Sequence, residues 1–428
     1  MDLLLMCSMA TRNTACRWRH WRGGVGLAGL TLALAVVFGS GDVLRGAESV
    51  ASNAASSNAV PASLEYKETD QSIITWSAGM AMQTTPFKKE PAAATGKSLR
   101  GVLNFFGDAS NAIPFLWQED AGKLYLDLNR NQDMTDDPDG VFKTPAVKPV
   151  FAQTFTNVHL VFNTAAGKSR LLADITLYDY GSMRICNLAV RSFWQGKLTL
   201  QGRDWQAGLV QKTVNGQFDR WDSLENCRLL LRAWEKRDQP FNANDGSLTT
   251  VPFSRKLFVD GRAYQVDWTM GSKEGEAKPA LQFTEQTAPL GELKITGQFI
   301  RRLVLPGGPY LVILDEPAGG VKIPTGSYDQ PNIQLEEKGT VAFCDSRLSL
   351  VGGRIAVDGK TTAVLKAGGP LTNSLTASRQ GQDLVLDYHL VGAGGETYQL
   401  AKQDATKPPT FAIYKNDKKI ASGDFEFG

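Results

Sequence analysis

The stretch that decides the fold is Lys123-Leu-Tyr-Leu-Asp127-Leu-Asn129-Arg-Asn131-Gln-Asp133-Met-Thr-Asp136-Asp137-Pro-Asp139. It begins with a short apolar run of the kind that forms a β-strand. It continues with a dense series of Asp and Asn, which favour turns because their side chains hydrogen-bond to nearby backbone groups. The stretch therefore predicts a strand that leads into a long polar loop.

The same pattern of short strands and turns continues along the chain. Tyr264-Gln-Val-Asp-Trp268 alternates with the period of two that a half-buried strand requires. Asp260-Gly261 and Asn215-Gly216 are dipeptides typical of hairpin turns. No long segment carries apolar residues at helical spacing, and turn residues recur after each short run. The sequence therefore predicts an all-β protein made of several β-sandwiches.

The chain divides into five predicted segments. They are a signal peptide (residues 1–47), a disordered linker (48–63), an N-terminal β-rich domain with the acidic loop (64–285), a small β-sandwich (286–341) and a C-terminal β-sandwich (342–428). The linker is assigned because it is rich in Ala, Ser and Asn and holds almost no large apolar residue. The C-terminal segment is assigned by its closely spaced short strands.

The last two segments resemble known β-sandwich families. Residues 321–328 contain the motif Pro324-Thr-Gly326-Ser-Tyr328 and resemble the entry to the last strand of transthyretin-like or carboxypeptidase-regulatory-like domains. The C-terminal segment resembles an immunoglobulin-like sandwich, with Tyr398 placed after a Gly-rich corner as a tyrosine-corner residue would be. The Cys…Trp…Cys spacing of true immunoglobulin domains is absent, so the resemblance implies the architecture alone.

The N-terminus has the layout of a secretory signal peptide. A basic region with Arg12, Arg17, Arg19 and Arg22 precedes an apolar run over residues 25–38, which is short for a transmembrane helix. The alternative is that this run is an uncleaved membrane anchor. With cleavage, we expect a secreted, periplasmic or envelope protein without a membrane span.

Removal of the predicted signal peptide changes the net charge. Residues 1–47 contain five Arg and two Asp, a net charge of +3, whereas the whole chain carries +2, so the remainder is near −1. Binding to a nucleic-acid backbone requires a basic surface. We therefore expect no nucleic-acid partner.

The acidic loop has the ligand spacing of a calcium site. With Asp127 at position 1, Asn129 at position 3 and Asn131 at position 5 supply side-chain oxygens. Asp133 at position 7 supplies a backbone carbonyl, and a later carboxylate such as Asp136 completes the set. The sequence therefore predicts Ca²⁺ bound by these residues.

The loop resembles the D-x-[DN]-x-[DN] calcium loops of EF-hands, dockerin repeats and thrombospondin type 3 repeats, and Asp-Leu-Asn-Arg-Asn segments of secreted bacterial β-rich proteins. Met134 stands at position 8, where such loops carry an aliphatic residue that anchors the loop. Two positions differ from an EF-hand, because Gln132 replaces the Gly at position 6 and Pro138 replaces the carboxylate at position 12. The resemblance implies one structural Ca²⁺ on a hairpin loop.

The alternative interpretation of the loop is a solvated hairpin tip, because Asp and Asn are common in turns without any metal. Repulsion among its five carboxylates favours the calcium interpretation. Residues 214–222 resemble the acidic loop more weakly, with the turn dipeptide Asn215-Gly216 and two acidic residues. We interpret them as a hairpin turn.

The sequence contains no motif for catalysis. His159 and His389 are the two histidines after residue 47, and both lie in strand-like segments without neighbouring metal ligands. Asp315-Glu316 is a carboxylate pair of the type that glycosidases use, but its context is typical of a turn at a strand end. The remaining cysteines allow at most one disulfide, with three candidate pairings among Cys186, Cys227 and Cys344.

These features favour a secreted, non-enzymatic structural or binding protein in which one Ca²⁺ stabilises the acidic loop. A carbohydrate-binding or carbohydrate-active protein is the alternative, because aromatic residues on a β-sandwich face can stack on sugars. A third interpretation is an adhesion module whose C-terminal sandwich contacts another protein. The expected partners are therefore an envelope protein or a carbohydrate.

Overall fold

The computed structural model describes residues 3–6, 16–17, 59–92, 97–104, 111–145, 151–164, 166–211, 227–239, 241, 248–344, 353–381, 383–401 and 408–425. This part of the chain is built from β-strands and contains no helix of seven or more residues. Two single-turn 3₁₀ helices, Pro138–Gly140 and Trp234–Lys236, lie between strands. The predicted all-β class is confirmed.

The strands of the first half follow one another in chain order. They are β1 (Leu3–Met6), β2 (Cys16–Arg17), β3 (Ala59–Ser63), β4 (Glu65–Glu68), β5 (Ile74–Gln83), β6 (Ser98–Asn104), β7 (Ile113–Gln118), β8 (Lys123–Leu126), β9 (Val141–Lys143), β10 (Ala152–Thr164), β11 (Gly167–Asp179), β12 (Arg184–Val190), β13 (Ser192–Leu200), β14 (Arg203–Gln211), β15 (Cys227–Ala233) and β16 (Thr250–Pro252).

The second half continues with further short strands. They are β17 (Lys256–Val259), β18 (Arg262–Lys273), β19 (Glu276–Gln286), β20 (Leu290–Ile295), β21 (Ile300–Leu305), β22 (Leu311–Asp315), β23 (Gly319–Pro324), β24 (Gly326–Tyr328), β25 (Asn332–Glu337), β26 (Thr340–Cys344), β27 (Ile355–Val357), β28 (Ala363–Leu365), β29 (Thr372–Gln380), β30 (Asp383–Val391), β31 (Thr397–Leu400), β32 (Thr410–Lys415) and β33 (Lys418–Asp424).

The folded body begins before residue 64. Strand β3 lies in the segment predicted as a linker, yet it pairs antiparallel with β19. Ala62 is only 1% exposed because its side chain lies in the core beneath this sheet. Residues 59–63 therefore belong to the folded body, whereas residues 48–58 lie outside the described residues. Strands β1 and β2, within the predicted signal peptide, pair with β32 and β30.

The first structural unit is an eight-stranded antiparallel sheet with the order β9-β8-β7-β6-β5-β12-β11-β10. One hydrophobic core receives residues from strands along the whole of this sheet, including Phe115, Phe155 and Ile175. A sheet whose distant strands share one core must curl back on itself, as in a barrel. Trp117 Nε1 donates to Gln153 Oε1 at 2.6 Å and joins β7 to β10.

The second unit is a sandwich of two sheets. Five strands in the order β4-β13-β14-β15-β16 form one layer. The other layer, called here the central sheet, begins as β3-β19-β18-β17 and continues through a parallel pairing of β17 with β22 into β21, β25 and β26. Between the layers lies a core that contains Trp194, Trp205, Tyr264 and Phe283.

The middle strands of the central sheet are buried on both faces. Leu257 and Val259 of β17 belong to the core under the five-stranded sheet, whereas Phe258 between them belongs to the core on the opposite side. Strand β22 repeats this division, because Val312 lies in the opposite core and its neighbours Leu311 and Ile313 lie in the first. Continuous apolar runs are what such doubly covered strands require.

The opposite core joins segments that the sequence predicts as separate domains. Two small sheets, β23-β20-β28 and β24-β27, contribute to it together with β21, β25 and β26. Leu390 and Tyr398 of the C-terminal segment also lie in it. The boundaries at 285/286 and 341/342 therefore do not separate independent cores, because strands on either side of each boundary pack together.

A tyrosine-corner contact occurs, but at a different residue from the one expected. The hydroxyl of Tyr398 donates to Glu396 Oε1 at 2.8 Å, which is a side-chain contact. The hydroxyl of Tyr328 donates to the backbone oxygen of Pro324 at 2.7 Å, four residues upstream. A hydroxyl that bonds back to the upstream backbone is the geometry of a tyrosine corner. Tyr328, in the Pro-x-Gly-x-Tyr motif, therefore occupies that role.

Cys186, Cys227 and Cys344 form no disulfide with one another. Cys186 lies in the core of the eight-stranded sheet, Cys227 under the five-stranded sheet, and Cys344 in the opposite core. Burial raises the pKa of the Cys186 thiol to about 12. Because the three side chains occupy three different cores, none of the candidate disulfide pairings forms among them.

Phe258→Ala tests the two-sided burial of the central sheet. Removing a fully buried aromatic ring costs about 3–5 kcal/mol in unfolding free energy, and Phe258 is 1% exposed. Chemical denaturation would measure this loss. Val364→Ala is the control, because its side chain is 61% exposed and its loss should change stability by less than about 0.5 kcal/mol. Equal effects of the two substitutions would contradict the described packing.

Candidate functional site

The acidic loop connects β8 to β9, two strands that pair as an antiparallel hairpin. It is anchored on the outer side of the hairpin by a small apolar cluster of Phe87, Leu116, Tyr125 and Met134. Met134 is 1% exposed, because its side chain packs in this cluster. The predicted hairpin placement is confirmed.

A second segment, residues 84–92, lies against the loop and is called here the covering segment. The backbone N–H of Met134 donates to the oxygen of Lys89 at 3.0 Å, and the N–H of Lys89 donates to the oxygen of Gln132 at 3.3 Å. Arg100 of β6 donates to both carboxylate oxygens of Glu90, at 2.7 and 2.6 Å. These hydrogen bonds lower the pKa of Glu90. The loop is thus fixed to the sheet through a neighbouring piece of chain.

Asp127 organises the first turn of the loop from a buried position. Asp127 is 0% exposed to solvent. Its Oδ1 accepts from the backbone N–H of Asn131 at 3.1 Å, and its Oδ2 accepts from that of Gln132 at 2.8 Å. A carboxylate that curls the following five residues around itself is the expected role of position 1 in a calcium loop.

The side chains of Asn129, Asn131 and Asp136 converge in front of Asp127. Asn129 Nδ2 lies 3.2 Å from Asp136 Oδ1, and Asn131 Nδ2 lies 2.6 Å from Asp136 Oδ2. Asn129 Oδ1 and Asp127 Oδ1 accept from the same N–H, that of Asn131, at 3.0 and 3.1 Å. Four of the five predicted ligand residues are therefore brought together.

The fifth, Asp133, directs its side chain elsewhere. Asp133 Oδ1 accepts from the N–H and hydroxyl of Thr135 at 2.9 and 2.5 Å, and Oδ2 lies 3.1 Å from Lys89 Nζ. These contacts lower the pKa of Asp133, and the hydrogen bond from the Thr135 hydroxyl contributes most to this shift. Only its backbone carbonyl remains as a candidate ligand, as expected for position 7.

Asp137 adds a third carboxylate beside the converging set. Its Oδ2 accepts from the backbone N–H groups of Leu128 and Asn129 at 3.0 and 3.4 Å. Its pKa is raised, mainly by burial and also by the charges of Asp127 and Asp136. The Asp137 carboxylate therefore lies close enough to Asp127 and Asp136 to be affected by their charges.

This negative charge has no cationic partner in the described part of the chain. Ion pairs within 4.0 Å of Asp127, Asp136 or Asp137 do not occur there, and the salt bridge of Lys89 goes to Asp133. Arg130 turns away and donates to the backbone oxygens of Leu128 and Val161, both at 3.0 Å. A partly buried group of like charges is unfavourable unless a cation compensates it.

The backbone of the loop adopts the left-handed conformation at two positions. Arg130 has φ of 63° and Gln132 has φ of 70°. Gln132 stands where an EF-hand carries Gly, which means that the chain takes the tight turn despite the side chain. This conformation costs about 1–2 kcal/mol for a residue other than Gly.

The described residues contain no group of three or more His, Cys, Asp or Glu side chains arranged to hold a metal ion. The set in front of Asp127 has a different composition, because two of its four members are Asn. Carboxylate and amide oxygens are both suitable ligands for Ca²⁺, which takes six to eight hard oxygen atoms.

Other residues singled out from the sequence lie apart from the loop. His159 is on the surface, with Nε2 3.3 Å from Glu68 Oε1, and His389 lies in β30. Asp315 and Glu316 do not act as a pair, because Asp315 is bound by Arg302 and Glu316 by Arg301. Residues 214–222 lie outside the described residues.

The structure brings together one carboxylate pair that sequence reasoning missed. Glu119 and Asp179 both form ion pairs with Lys97, whose Nζ lies 3.2 Å from Glu119 Oε1. Burial raises the pKa of Glu119, whereas Lys97 and the other donors outweigh burial and lower the pKa of Asp179. The two residues are 5% and 6% exposed, so this pair fixes one end of the eight-stranded sheet. Their separation of 60 positions hides this arrangement in the sequence.

An exposed apolar patch lies on the β11–β12 hairpin. The rings of Tyr178 and Tyr180 are stacked, with centroids 5.9 Å apart and an interplanar angle of 11°. Tyr180 and Met183 are 53% and 54% exposed, and the N–H of Tyr180 donates to the oxygen of Met183. Ile185 lies opposite Tyr178 on the same face. A flat aromatic surface open to solvent is therefore available there.

Comparison of the chain with protein-family models, with functionally described proteins and with solved structures finds no match. Among the residues described above, no helix has the length and apolarity needed to cross a membrane.

Gln132→Gly tests the backbone strain of the loop. Gly adopts positive φ without steric cost, and we expect this substitution to raise unfolding free energy by about 1 kcal/mol. Arg130→Gly is the matched comparison, because it also relieves positive φ but removes two side-chain hydrogen bonds, each of which contributes about 1 kcal/mol. Thermal denaturation should show a gain for Gln132→Gly alone, and a loss there would contradict the assigned conformation.

Proposed function

We propose that this protein is a secreted or envelope-associated, non-enzymatic binding protein whose acidic loop holds one structural Ca²⁺. The observation that carries the calcium proposal is the convergence of Asn129, Asn131 and Asp136 in front of the buried Asp127. The absence of a cationic partner for these carboxylates in the described chain supports it. The location rests on the predicted signal peptide.

Calcium at this point would join distant parts of the hairpin. Asp127 directly follows β8, whereas Asp136 precedes the 3₁₀ turn that leads into β9. A cation between them would fix the loop, and with it the covering segment, which bonds to Met134. Ligands that bind the folded state alone stabilise it by RT ln(1 + [L]/Kd), about 2.7 kcal/mol at a hundredfold excess over Kd.

The affinity is expected to be modest. Gln132 at the turn and Pro138 at position 12 remove two features of tight EF-hand sites. Extracellular calcium modules with fewer charged ligands bind with Kd on the order of 10⁻⁴–10⁻³ M. Calcium at extracellular concentrations would therefore stabilise the loop without making the fold depend on it.

Calorimetric titration of the purified protein with Ca²⁺ tests the proposal. We expect one site, a higher melting temperature with Ca²⁺, and reversal by EDTA. Asp136→Asn should weaken binding by about tenfold or more, since it removes a charged ligand. Asp139→Asn is the control, because Asp139 is an exposed acid just outside the converging set. No calcium-dependent heat or melting shift would overturn the calcium proposal.

A second candidate function is carbohydrate binding at the exposed Tyr178–Tyr180 patch. The two rings are stacked with nearly parallel planes, and the exposed Tyr180 ring offers an apolar surface suited to the C–H face of a sugar ring. Exposed aromatic patches of this kind on a protein surface commonly mark binding sites. The proposed ligand is therefore a neutral glycan that stacks on the exposed Tyr180 ring.

A glycan array with the full chain, repeated with Tyr180→Ala, tests this second candidate. The substitution should lower binding severalfold, because it removes the exposed ring. Ile420→Ala is the control, since Ile420 is equally exposed at 53% but lies in the C-terminal hairpin. Glycan binding that is unchanged in Tyr180→Ala, or absent altogether, would exclude the patch.

A further inference from the structure

A polar cleft of about 490 Å³ opens where the five-stranded sheet meets the central sheet. Its walls come from β14, β15, the 3₁₀ turn after β15, and strands β21, β22 and β25. Five cationic side chains and three carboxylates line it. The volume lies in the range of small-molecule sites.

The three carboxylates of the cleft all lie in ion pairs with Arg301 or Arg302. Arg302 donates from Nε and Nη2 to the two oxygens of Asp315, at 2.6 and 3.1 Å, and from Nη1 to the backbone oxygens of Leu231 and Leu248. Arg301 pairs with Glu316 and lies 3.6 Å from Glu336. Arg232 donates to Gln206 Oε1 and to the backbone oxygen of Gln239, so two other cations of the cleft have no acid within hydrogen-bond distance.

Arg203 and Lys236 are those cations. The guanidinium of Arg203 stacks over the Trp205 ring at 4.4 Å. Its nearest carboxylate oxygens, on Asp260 and Asp315, are 3.7 and 3.9 Å away, beyond hydrogen-bond distance. Within the described ranges, Lys236 forms no ion pair within 4.0 Å. Both side chains are partly exposed and can move toward a ligand.

The positive charge of these side chains affects the pKa of Asp315. Burial alone would raise the pKa of this carboxyl, yet its pKa is lowered by the charges of Arg302, Arg203 and Lys236. Three positive charges therefore act on this carboxylate, and the five cations that line the cleft outnumber its three carboxylates by two. A concave site with an excess of one sign of charge concentrates ligands of the opposite sign.

We propose that this cleft binds a small hydrophilic anion with a carboxylate or phosphate group, held between Arg203 and Lys236. The lining favours a polar molecule, because eleven of its thirteen residues carry charged, amide or hydroxyl groups. The side chains of Gln239, Thr249 and Gln334 offer hydrogen bonds to ligand hydroxyl groups. A hydroxylated acid, such as a sugar acid, meets both requirements. This inference is independent of the calcium loop and of the aromatic patch.

Titration of the full chain with D-glucuronate, inorganic phosphate and neutral D-glucose tests the inference. We expect one of the two anions to bind, D-glucose not to bind, and affinity to fall as salt concentration rises. The anion that binds more tightly distinguishes a sugar acid from a phosphate. Failure of both anions to bind at millimolar concentration would overturn the proposal.

Substitutions then locate the site. Lys236→Gln and Arg203→Gln should each weaken anion binding by about tenfold, the effect of one charge-assisted hydrogen bond. Lys294→Gln is the matched control, because Lys294 is an exposed lysine on the small sheet away from the cleft. Circular dichroism would verify the fold of each variant. Equal loss in all three variants, or no loss in the first two, would contradict binding in the cleft.

Discussion

Burial of the central sheet on both faces is the constraint on which the rest of the structure depends. Phe258 and Val312 lie in one core, whereas their sequence neighbours lie in the other. The parallel pairing of β17 with β22 joins residues that are 54 positions apart in the sequence, such as Leu257 and Leu311, within the sheet that separates the two cores. Arg302 reinforces this junction, because its guanidinium binds Asp315 and two backbone oxygens of the neighbouring layer. The layers on either side therefore both pack against the central sheet.

The fold class and the position of the loop could be predicted from the sequence, because both depend on local patterns. Alternation and turn dipeptides define strands, and the Asp and Asn run after β8 defines a hairpin loop. The domain boundaries could not be predicted from the sequence, because the alternation of apolar and polar residues does not show which strands pair with each other. Strands β20 to β28 look like a separate small domain in sequence, yet their apolar side chains share a core with β17, β30 and β31.

The candidate site, too, was predictable in its local features but not in its long-range contacts. Spacing alone indicated Asp127, Asn129, Asn131 and Asp136, and the structure brings these side chains together. Spacing could not show that Asp133 would turn toward Lys89, a residue 44 positions away. It also could not show the anchoring by the covering segment or the ion pairs of Glu119 and Asp179 with Lys97, which arise only when the sheet curls. Long-range contacts of this kind leave no local pattern.

The placement of the three buried thiols has a consequence for the folding and stability of the protein. Each sits in a different core and none is within reach of another, so these thiols contribute to stability as small apolar side chains. Folding of this body does not have to wait for oxidation, and its stability does not depend on the redox potential of the surrounding compartment. The same native state is open to the chain in a reducing or an oxidising environment.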